Sequence, residues 1–269
     1  MSAVAHANSV LSGVPLEIWD FILTPLRLQG DRKTIQACAL TCHAWLFAAR
    51  THLFRAVHLT RESAPDFKSI VNKAPAIASC VRALELEVDA DPQFTFLERL
   101  PYATELTLTG WLLRHTVNDA LAMFLRRVEV LELRDCNMLI PELPRLLAAC
   151  HELARLSLRE VYWPLNVKDG GQRRRPLREL PGDLPVGTPL RAHNLSMVCC
   201  ARFVYRFLAR STALVPSPSL ALELPAPIEI GELLRHWGLA LTHLCLTVES
   251  ILEDGPSEFV GLCLWLHLR

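Results

Sequence analysis

The sequence is poor in glycine, in aromatic residues and in net charge. Only 11 of its 269 residues are glycine and 7% are aromatic, while 28 basic and 28 acidic residues cancel. It contains neither a Gly-x-Gly-x-x-Gly nor a Walker motif, so a loop that holds nucleotide phosphates is not expected. Because the chain is neutral, we also expect neither nucleic acid nor an acidic membrane surface as its main partner.

Long hydrophobic segments are missing as well. The longest nearly uncharged apolar run, residues 259–268, has about ten residues, whereas a membrane span needs roughly 20. The N-terminus lacks the basic and apolar regions of a signal peptide. We therefore expect a cytoplasmic or nuclear protein with no membrane contact. Its nine scattered cysteines are expected to stay reduced and to serve mainly as core residues.

No catalytic signature is present: there is no Gly-x-Ser-x-Gly motif, no cysteine-protease signature and no Asp/His pair. Cys38, Cys42 and His43 suggest zinc, but a tetrahedral site needs four ligands and no nearby pair completes it. Cys199 and Cys200 are neighbours, and a disulfide between them would be strained, so we expect one of the two to face inward. The sequence predicts no enzyme, no cofactor and no metal.

Three short helices are predicted between residues 14 and 59. Pro15 begins the first, and Thr24-Pro25 is expected to end or kink it near Leu23. Asp31 is a predicted N-cap of the second helix. The apolar faces are Ile18, Ile22 and Leu26, widened by Trp19 and Leu23; Ile35, Cys38, Ala39 and Cys42; and Trp45, Ala49 and Leu53. They carry more apolar surface than a bundle of about 45 residues can bury, so we expect a partner to cover the surplus.

The same segment resembles the F-box family, whose pattern is Leu-Pro-x-Glu-Ile/Leu, then Leu-x-x-Val/Thr-Cys-x-x-Trp, then an ending near Leu-Phe/Trp. The matching blocks, within residues 12–59, are Val14-Pro15-Leu16-Glu17-Ile18, Leu40-Thr41-Cys42-His43-Ala44-Trp45 and His52-Leu53-Phe54-Arg55. Val14 replaces a leucine, Pro25 departs from the pattern, and the middle block looks like the F-box families of mushroom-forming fungi. The resemblance implies binding to the Skp adaptor of cullin ubiquitin ligases through Pro15, Leu16, Ile18, Ile22, Leu40 and Trp45. A three-helix packing unit without a partner is the simpler alternative.

A Leu-x-Leu repeat follows a predicted helix over residues 66–74, in which Phe67, Ile70, Val71 and Ala74 share a face and which Pro75 ends. The pairs are Leu84/Leu86, Leu106/Leu108, Leu131/Leu133, Leu156/Leu158, Leu222/Leu224, Leu244/Leu246 and Leu266/Leu268, with a weaker candidate at residues 194–197. Apart from one gap of 66 residues, the pairs recur every 22 or 25 residues. A period of about 20–29 residues is typical of leucine-rich repeats, although their Asn/Cys turn position is met only loosely, at Asp135-Cys136-Asn137.

Helical segments are predicted in the intervals between these strands. The first is capped by Thr116 and has Ala120, Leu121, Phe124 and Leu125 on its inward face. The second starts at Pro141, with Leu143, Leu146, Leu147 and Cys150 inward. The third shows the same spacing at Ile230, Leu233, Leu234 and Trp237. Strand, turn and helix therefore recur. This order predicts parallel strands stacked on one side of a solenoid.

The predicted fold class is α/β: an N-terminal three-helix F-box, then a leucine-rich-repeat-like α/β solenoid arc. The expected divisions are a disordered N-terminus (1–11), the F-box (12–59), a first solenoid part (60–163), a Pro/Gly/Arg-rich loop (164–190) and a second solenoid part (191–269). No polar cap follows the last strand, so we expect the second part either to be truncated or to end in an unprotected edge strand. Arg173–Arg175 in the loop could be a nuclear-import signal, with a solvated loop as the default.

In each repeat strand the leucines point inward, so the residues beside them point to the open face. These outward residues are Glu85, Glu87, Thr107, Glu132, Arg134, Ser157, Arg159, Cys245 and His267, of which the first seven are the predicted substrate-binding set. The face is expected to change from acidic, at Glu85, Glu87 and Glu132, to basic at Arg134 and Arg159. Mixed charge suits a protein ligand, and it is equally compatible with an idle, soluble surface.

The predicted function is that of a substrate-recognition subunit of an SCF-type cullin ubiquitin ligase. The F-box would bind the Skp adaptor and through it a cullin, and the repeat arc would bind an unknown protein substrate. Rate enhancement would come from proximity, without bond chemistry by the chain itself. A scaffold that binds the adaptor without ligase activity is the first alternative, and a cysteine hydrolase is the second.

Overall fold

The computed structural model describes the chain at residues 15–88, 94–112, 115–138, 142–162, 192–200, 204, 208, 218–224, 234–235, 241–248 and 262–267. Across these residues the fold is α/β, with seven α-helices and nine strands. The strands lie in one sheet in their chain order. The first eight run parallel, and the ninth runs antiparallel to its neighbour. The predicted α/β class is therefore confirmed.

Two compact units divide the chain: residues up to Glu85 together with Arg99–Ala103, and the remainder. The first unit contains α1 (Leu16–Leu28), α2 (Arg32–Ala39), α3 (His43–Phe54), β1 (Ala56–Leu59), α4 (Ala64–Lys73) and α5 (Pro75–Ala78). Strand β2 (Ala83–Glu87) runs across the boundary at Glu85. In α4, Phe67 and Val71 are buried as predicted, whereas Ile70 is exposed, because it lies at the edge of the stripe that Ala64, Phe67 and Val71 define.

The α1–α3 bundle has a small core of its own. Its fully buried members are Trp19, Leu23, Ile35, Ala48 and Ala49, and Leu26, Cys38, Ala39, Trp45 and Leu53 pack against them. The rings of Trp19 and Trp45 lie 4.6 Å apart at 50°. Asp31 caps α2 as predicted: its Oδ2 accepts from the Thr34 hydroxyl at 2.6 Å and its Oδ1 from the Thr34 N–H at 3.1 Å. These two hydrogen bonds, the side-chain one first, lower the pKa of Asp31.

Helix α1 continues through Pro25 to Leu28, so the predicted end or kink near Leu23 is wrong. Pro25 removes one hydrogen-bond donor, but the following turn is held by other contacts. The Gln29 N–H donates to the Pro25 carbonyl at 3.0 Å, and Leu26 packs against the bundle core. The helix ends where Gly30 takes the left-handed φ of +73°.

The second unit contains β3 (Glu105–Thr109), α6 (Asp119–Leu125), β4 (Val130–Asn137), α7 (Glu142–Ala149), β5 (Arg155–Tyr162), β6 (Asn194–Val198), β7 (Ser219–Leu224), β8 (His243–Val248) and β9 (Leu262–His267). A 3₁₀ turn at Leu97–Arg99 includes the first residue of the segment Arg99–Ala103, which belongs to the first unit. Two leucine ladders run across its parallel strands. Their paired residues are Leu106, Leu131, Leu156, Leu195, Leu220 and Leu244, and Leu108, Leu133, Leu158, Met197, Leu222 and Leu246. The inward direction of the Leu-x-Leu pairs in β3, β4 and β5 is therefore confirmed, as is the weaker candidate strand, which forms β6.

Two strand assignments need correction. In β7 the ladder residues are Leu220 and Leu222, because Leu222 pairs with Met197; the predicted Leu222/Leu224 pair was displaced by two residues. The predicted last parallel repeat is also wrong, since β9 pairs antiparallel with β8 and Leu266 lies opposite Leu244. Only 13 residues join β8 to β9, close to the minimum of about a dozen that a parallel crossover needs, and a short connection favours an antiparallel pair.

The predicted helices between strands are present where the structure describes them. The N-cap of α6 is Asn118, whose side chain accepts from the Leu121 N–H at 2.9 Å; it is not Thr116, because the helix begins two residues later than that cap requires. In α7 the predicted inward residues are all buried. The predicted loop at 164–190 and nearly all of the helix near 230–237 lie outside the described residues.

Candidate functional site

Six large apolar side chains are exposed on the α1–α3 bundle. They are Ile18, Phe21, Ile22 and Leu28 on α1, Leu40 at the end of α2, and Phe47 on α3. Leu40 is 87% exposed and Phe21 is 79% exposed. Single exposed apolar residues are ordinary on soluble proteins, but six on a bundle of this size form a candidate docking surface.

Helix α1 is apolar around most of its circumference, apart from a polar stripe formed by Glu17, Asp20, Thr24 and Arg27. Trp19 and Leu23 are buried in the bundle, whereas Phe21 and Leu28 lie two turns apart on the opposite face. Ile18 and Ile22 are also exposed and continue this outer surface. A helix whose apolar surface is wider than one neighbouring bundle can cover normally has a second neighbour or a partner. The bundle covers only one face of α1, so its outer face is suited to a partner.

The predicted adaptor-binding residues differ in their surroundings. Pro15 is exposed and precedes α1, and Ile18, Ile22 and Leu40 are exposed. Leu16 begins α1, but its side chain lies outside the described residues. Trp45 packs on Trp19 and so belongs to the bundle core. Sequence reasoning missed three exposed residues, Phe21, Leu28 and Phe47; the seven-residue spacing of Phe21 and Leu28 was the available signal.

A cleft of about 260 Å³ lies between α1 and α3, lined by Glu17 and Asp20 of α1 and by Ala48 and Thr51 of α3. Nε2 of the buried His52 lies 2.8 Å from Oδ1 of the exposed Asp20, without the alignment of a hydrogen bond. Burial lowers the pKa of His52, and this effect outweighs the attraction of Asp20. The imidazole is therefore expected to be neutral at pH 7, and its contact with Asp20 helps to position α3 against α1.

The open face of the second unit brings together five of the predicted substrate-binding residues. Strand pairing places Thr107, Glu132 and Ser157 in one row across β3–β5, and Arg134 beside Arg159 in the next. Ser196, Ala221 and Cys245 continue the first row across β6–β8. Of the remaining predicted outward residues, Glu85 and Glu87 are half-buried on β2, and the side chain of His267 on β9 lies outside the described residues.

Charge on this face does not divide into an acidic and a basic half between Glu132 and Arg134. The Arg134 guanidinium donates to both carboxylate oxygens of Glu132, at 2.8 and 2.9 Å, so the two residues form a bidentate pair. A third row, which sequence reasoning missed, contains Glu105, Val130, Arg155 and Asn194. The alternation of the strand was the available signal, because the residue before each first leucine also points outward.

A left-handed residue recurs at one position in four consecutive strands of the second unit. Gly110, Asp135, Glu160 and Cys199 have φ of +73°, +50°, +52° and +49°, and each follows a residue of the same row, Thr109, Arg134, Arg159 and Val198. The next residue is buried in every case: Trp111, Cys136, Val161 and Cys200. The recurrent bend therefore returns the chain to the core after each strand. It also brings the Asp135 and Glu160 carboxyl groups together, and their hydrogen bond raises the pKa of Glu160.

Substitutions at this bend should have opposite effects on stability. Gly110→Ala should lower the free energy of unfolding by about 1 kcal/mol, because a side chain disfavours a left-handed φ. An added Cβ at Gly110 would meet no atom within 4 Å, so no steric clash adds to this cost. Glu160→Gly should raise the stability by about 0.5 kcal/mol, since it relieves the same strain. Urea unfolding of both variants checks this; equal signs would contradict it.

The buried cysteines of the second unit are poor nucleophiles. Burial raises the pKa of Cys136 and Cys150 to about 12 and that of Cys200 to about 11. Cys200 donates its S–H to the Leu158 carbonyl at 3.3 Å, while Cys199 is half-exposed, as the expectation of one inward cysteine required. In the part of the chain that the structure describes, no three His, Cys, Asp or Glu side chains form a group that could hold a metal ion.

Among the described residues, no helix has the length and apolarity needed to cross a membrane. No protein-family model, curated protein or solved structure matches the chain. The F-box and the leucine-rich repeat therefore stay predictions from the sequence.

Proposed function

We propose that the chain is a substrate-recognition subunit of an SCF-type cullin ubiquitin ligase. In this proposal α1–α3 are an F-box that binds the Skp adaptor, and through it a cullin. The parallel strands belong to a leucine-rich-repeat-like arc whose open face binds a protein substrate. The observation that carries the proposal is the exposed apolar surface of a bundle whose sequence holds three F-box-like blocks in order.

Burial of the exposed apolar side chains is the main driving force in this proposal. Burying one large apolar side chain contributes about 1.5–3 kcal/mol, and part of this free energy offsets the entropic cost of association. Pro15, Ile18, Ile22 and Leu40 are the proposed contacts with the adaptor, with Leu16 as a further contact from the family pattern.

The second unit supports the repeat part of the proposal through its periodicity. Parallel strands with helices between them place leucines in two ladders at intervals close to the repeat length of the leucine-rich family. The residues beside those leucines form an open polar face. In the proposed function this face holds the substrate near the ubiquitin-conjugating enzyme, and proximity supplies the rate enhancement. The role requires no catalytic group of the chain's own.

Adaptor capture by the full chain tests the docking half of the proposal. Ile18→Ser, Ile22→Ser and Leu40→Ser combined should weaken adaptor binding by about 10- to 100-fold, because three apolar contacts are lost from exposed positions. The matched control is Ile70→Ser, Met123→Ser and Tyr162→Ser, which removes three exposed side chains outside α1–α3 and should leave binding unchanged.

Binding is measured by titrating the immobilised adaptor with each purified variant. Absence of a complex, or equal affinity of the two triple variants, would reject the proposal. Capture of the adaptor without a cullin from native extract would instead favour the alternative role, a scaffold that binds the adaptor but has no ligase activity.

A further inference from the structure

The open face of β4–β6 carries two arginines on one strand. Arg155 and Arg159 lie on β5, point to the open side and are both exposed. Ser157 lies between them along the strand, and Asn194 and Ser196 of β6 lie beside them in the neighbouring strand. At about 3.3 Å per residue, the two arginines are roughly 13 Å apart along the strand, with short polar side chains between them.

The acidic groups near this pair offset only part of its charge. Glu132, in the row of Ser157, forms the bidentate pair with Arg134. Glu160 follows Arg159 and attracts it electrostatically while it also interacts with Asp135, so the charge of Arg159 is offset in part. The paired neighbours of Arg155 in its row are Val130 and Asn194, and the acidic residue of that row, Glu105, lies one strand further away on β3.

A ligand of this face must be recognised through side chains. Strand β5 pairs with β4 on one side and with β6 on the other, so an added peptide cannot join the sheet through the backbone of β5. Guanidinium groups bind carboxylates with two parallel hydrogen bonds, which gives specificity as well as attraction. In an extended peptide, side chains four residues apart are separated by about the same 13 Å as the two arginines.

We infer that Arg155 and Arg159 bind an extended segment of a protein partner through acidic side chains about four residues apart. The inference rests on the proposed function, in which this face holds the substrate, and it specifies the chemistry of that substrate. Ser157, Ser196 and Asn194 offer hydrogen bonds to the peptide between the two anchors. Arg134 adds positive charge at the edge of the site, while Glu132 limits the charge of the centre.

The test uses fluorescein-labelled peptides of twelve residues with the full chain. One peptide carries two glutamates four residues apart in a Ser/Ala/Thr background, and a second carries lysines at those positions. A short single-stranded oligonucleotide with the same charge as the acidic peptide is the third probe. Fluorescence anisotropy should show binding of the acidic peptide alone, with an affinity that falls as salt is raised.

Two variants and one control localise the binding. Arg155→Ser with Arg159→Ser should weaken binding of the acidic peptide at least about 10-fold, whereas the charge-matched control, Arg126→Ser with Arg235→Ser, should stay within about twofold. Glu132→Gln should strengthen binding by about threefold, because it removes the negative charge from the centre of the face. All four substituted arginines are exposed, so folding should be preserved.

Several outcomes would overturn the inference: no binding of the acidic peptide, equal binding by the Arg155/Arg159 variant and its control, or tighter binding of the oligonucleotide. Adaptor capture is measured on the same variants and should be unaffected by them. Failure of the unmodified chain to capture the adaptor would count against the proposed function. The peptide titrations test separately whether Arg155 and Arg159 bind acidic side chains.

Discussion

Leu133→Ala is expected to lower the free energy of unfolding of the second unit by about 3–4 kcal/mol. Leu133 has no exposed surface and lies between Leu108 and Leu158 in the second leucine ladder. Replacement by alanine removes three carbon atoms from a closely packed site. The cost combines the lost transfer free energy with that of the cavity left behind, because neighbouring strands hold the flanking leucines in place.

Hydrogen exchange followed by mass spectrometry is the suitable measurement, since it resolves β3–β5 from the rest of a chain with two compact units. Peptides from these strands should lose protection in the Leu133→Ala variant. Thr107→Ala is the matched control, because Thr107 lies on the open face of the same sheet and should change stability by less than about 0.5 kcal/mol. Similar losses in the two variants would show that the ladder is not the core of this unit.

The leucine ladders were predictable from the sequence for two reasons. Alternate residues of a strand point to the same face, so both leucines of a Leu-x-Leu pair point inward. The pairs also recur every 22 or 25 residues, which is typical of stacked repeat strands. The same argument explains the error at β7. Leu220, Leu222 and Leu224 all occupy alternate positions, so the pattern alone fits two registers. Pairing with Leu195 and Met197 of β6 decides between them, and that pairing depends on residues more than twenty positions away.

Other features depend on tertiary contacts that a local pattern does not contain. Pro25 predicts a helix end, yet burial of Leu26 against the bundle keeps the last turn of α1 helical. The recurrent left-handed bend has glycine only at Gly110, so three of its four positions gave no signal in the sequence. The ion pair of Glu132 and Arg134 requires two long side chains on one face to bind each other instead of water, which the sequence pattern does not indicate.

Periodicity also could not distinguish the two faces of α1. Ile18, Trp19, Ile22 and Leu23 are all apolar, and the sequence predicts a wide stripe without saying which part faces the bundle. The structure buries Trp19 and Leu23 and leaves Ile18 and Ile22 exposed. Trp45, which the family pattern places among the adaptor contacts, is packed on Trp19. Its contribution to docking is therefore expected to be indirect.

Trp45→Ala should consequently abolish adaptor binding by unfolding the bundle. The core of α1–α3 has five buried residues, and Trp45 packs against it with its ring 4.6 Å from that of Trp19. Truncation of a large core side chain costs about 3–5 kcal/mol, which is comparable to the whole stability of so small a unit. Leu40→Ser should weaken binding without such a cost, because Leu40 is 87% exposed.

Binding and hydrogen exchange measured on the same samples separate the two causes. Trp45→Ala should lose both adaptor binding and the protection of α1–α3, whereas Leu40→Ser should lose affinity and keep protection. Trp45→Phe is the control for Trp45, since an aromatic ring of similar shape should recover most of the packing against Trp19. If Trp45→Ala kept full protection while binding was lost, Trp45 would be a direct contact with the adaptor. The docking surface would then extend from Leu40 into the seam between α1 and α3.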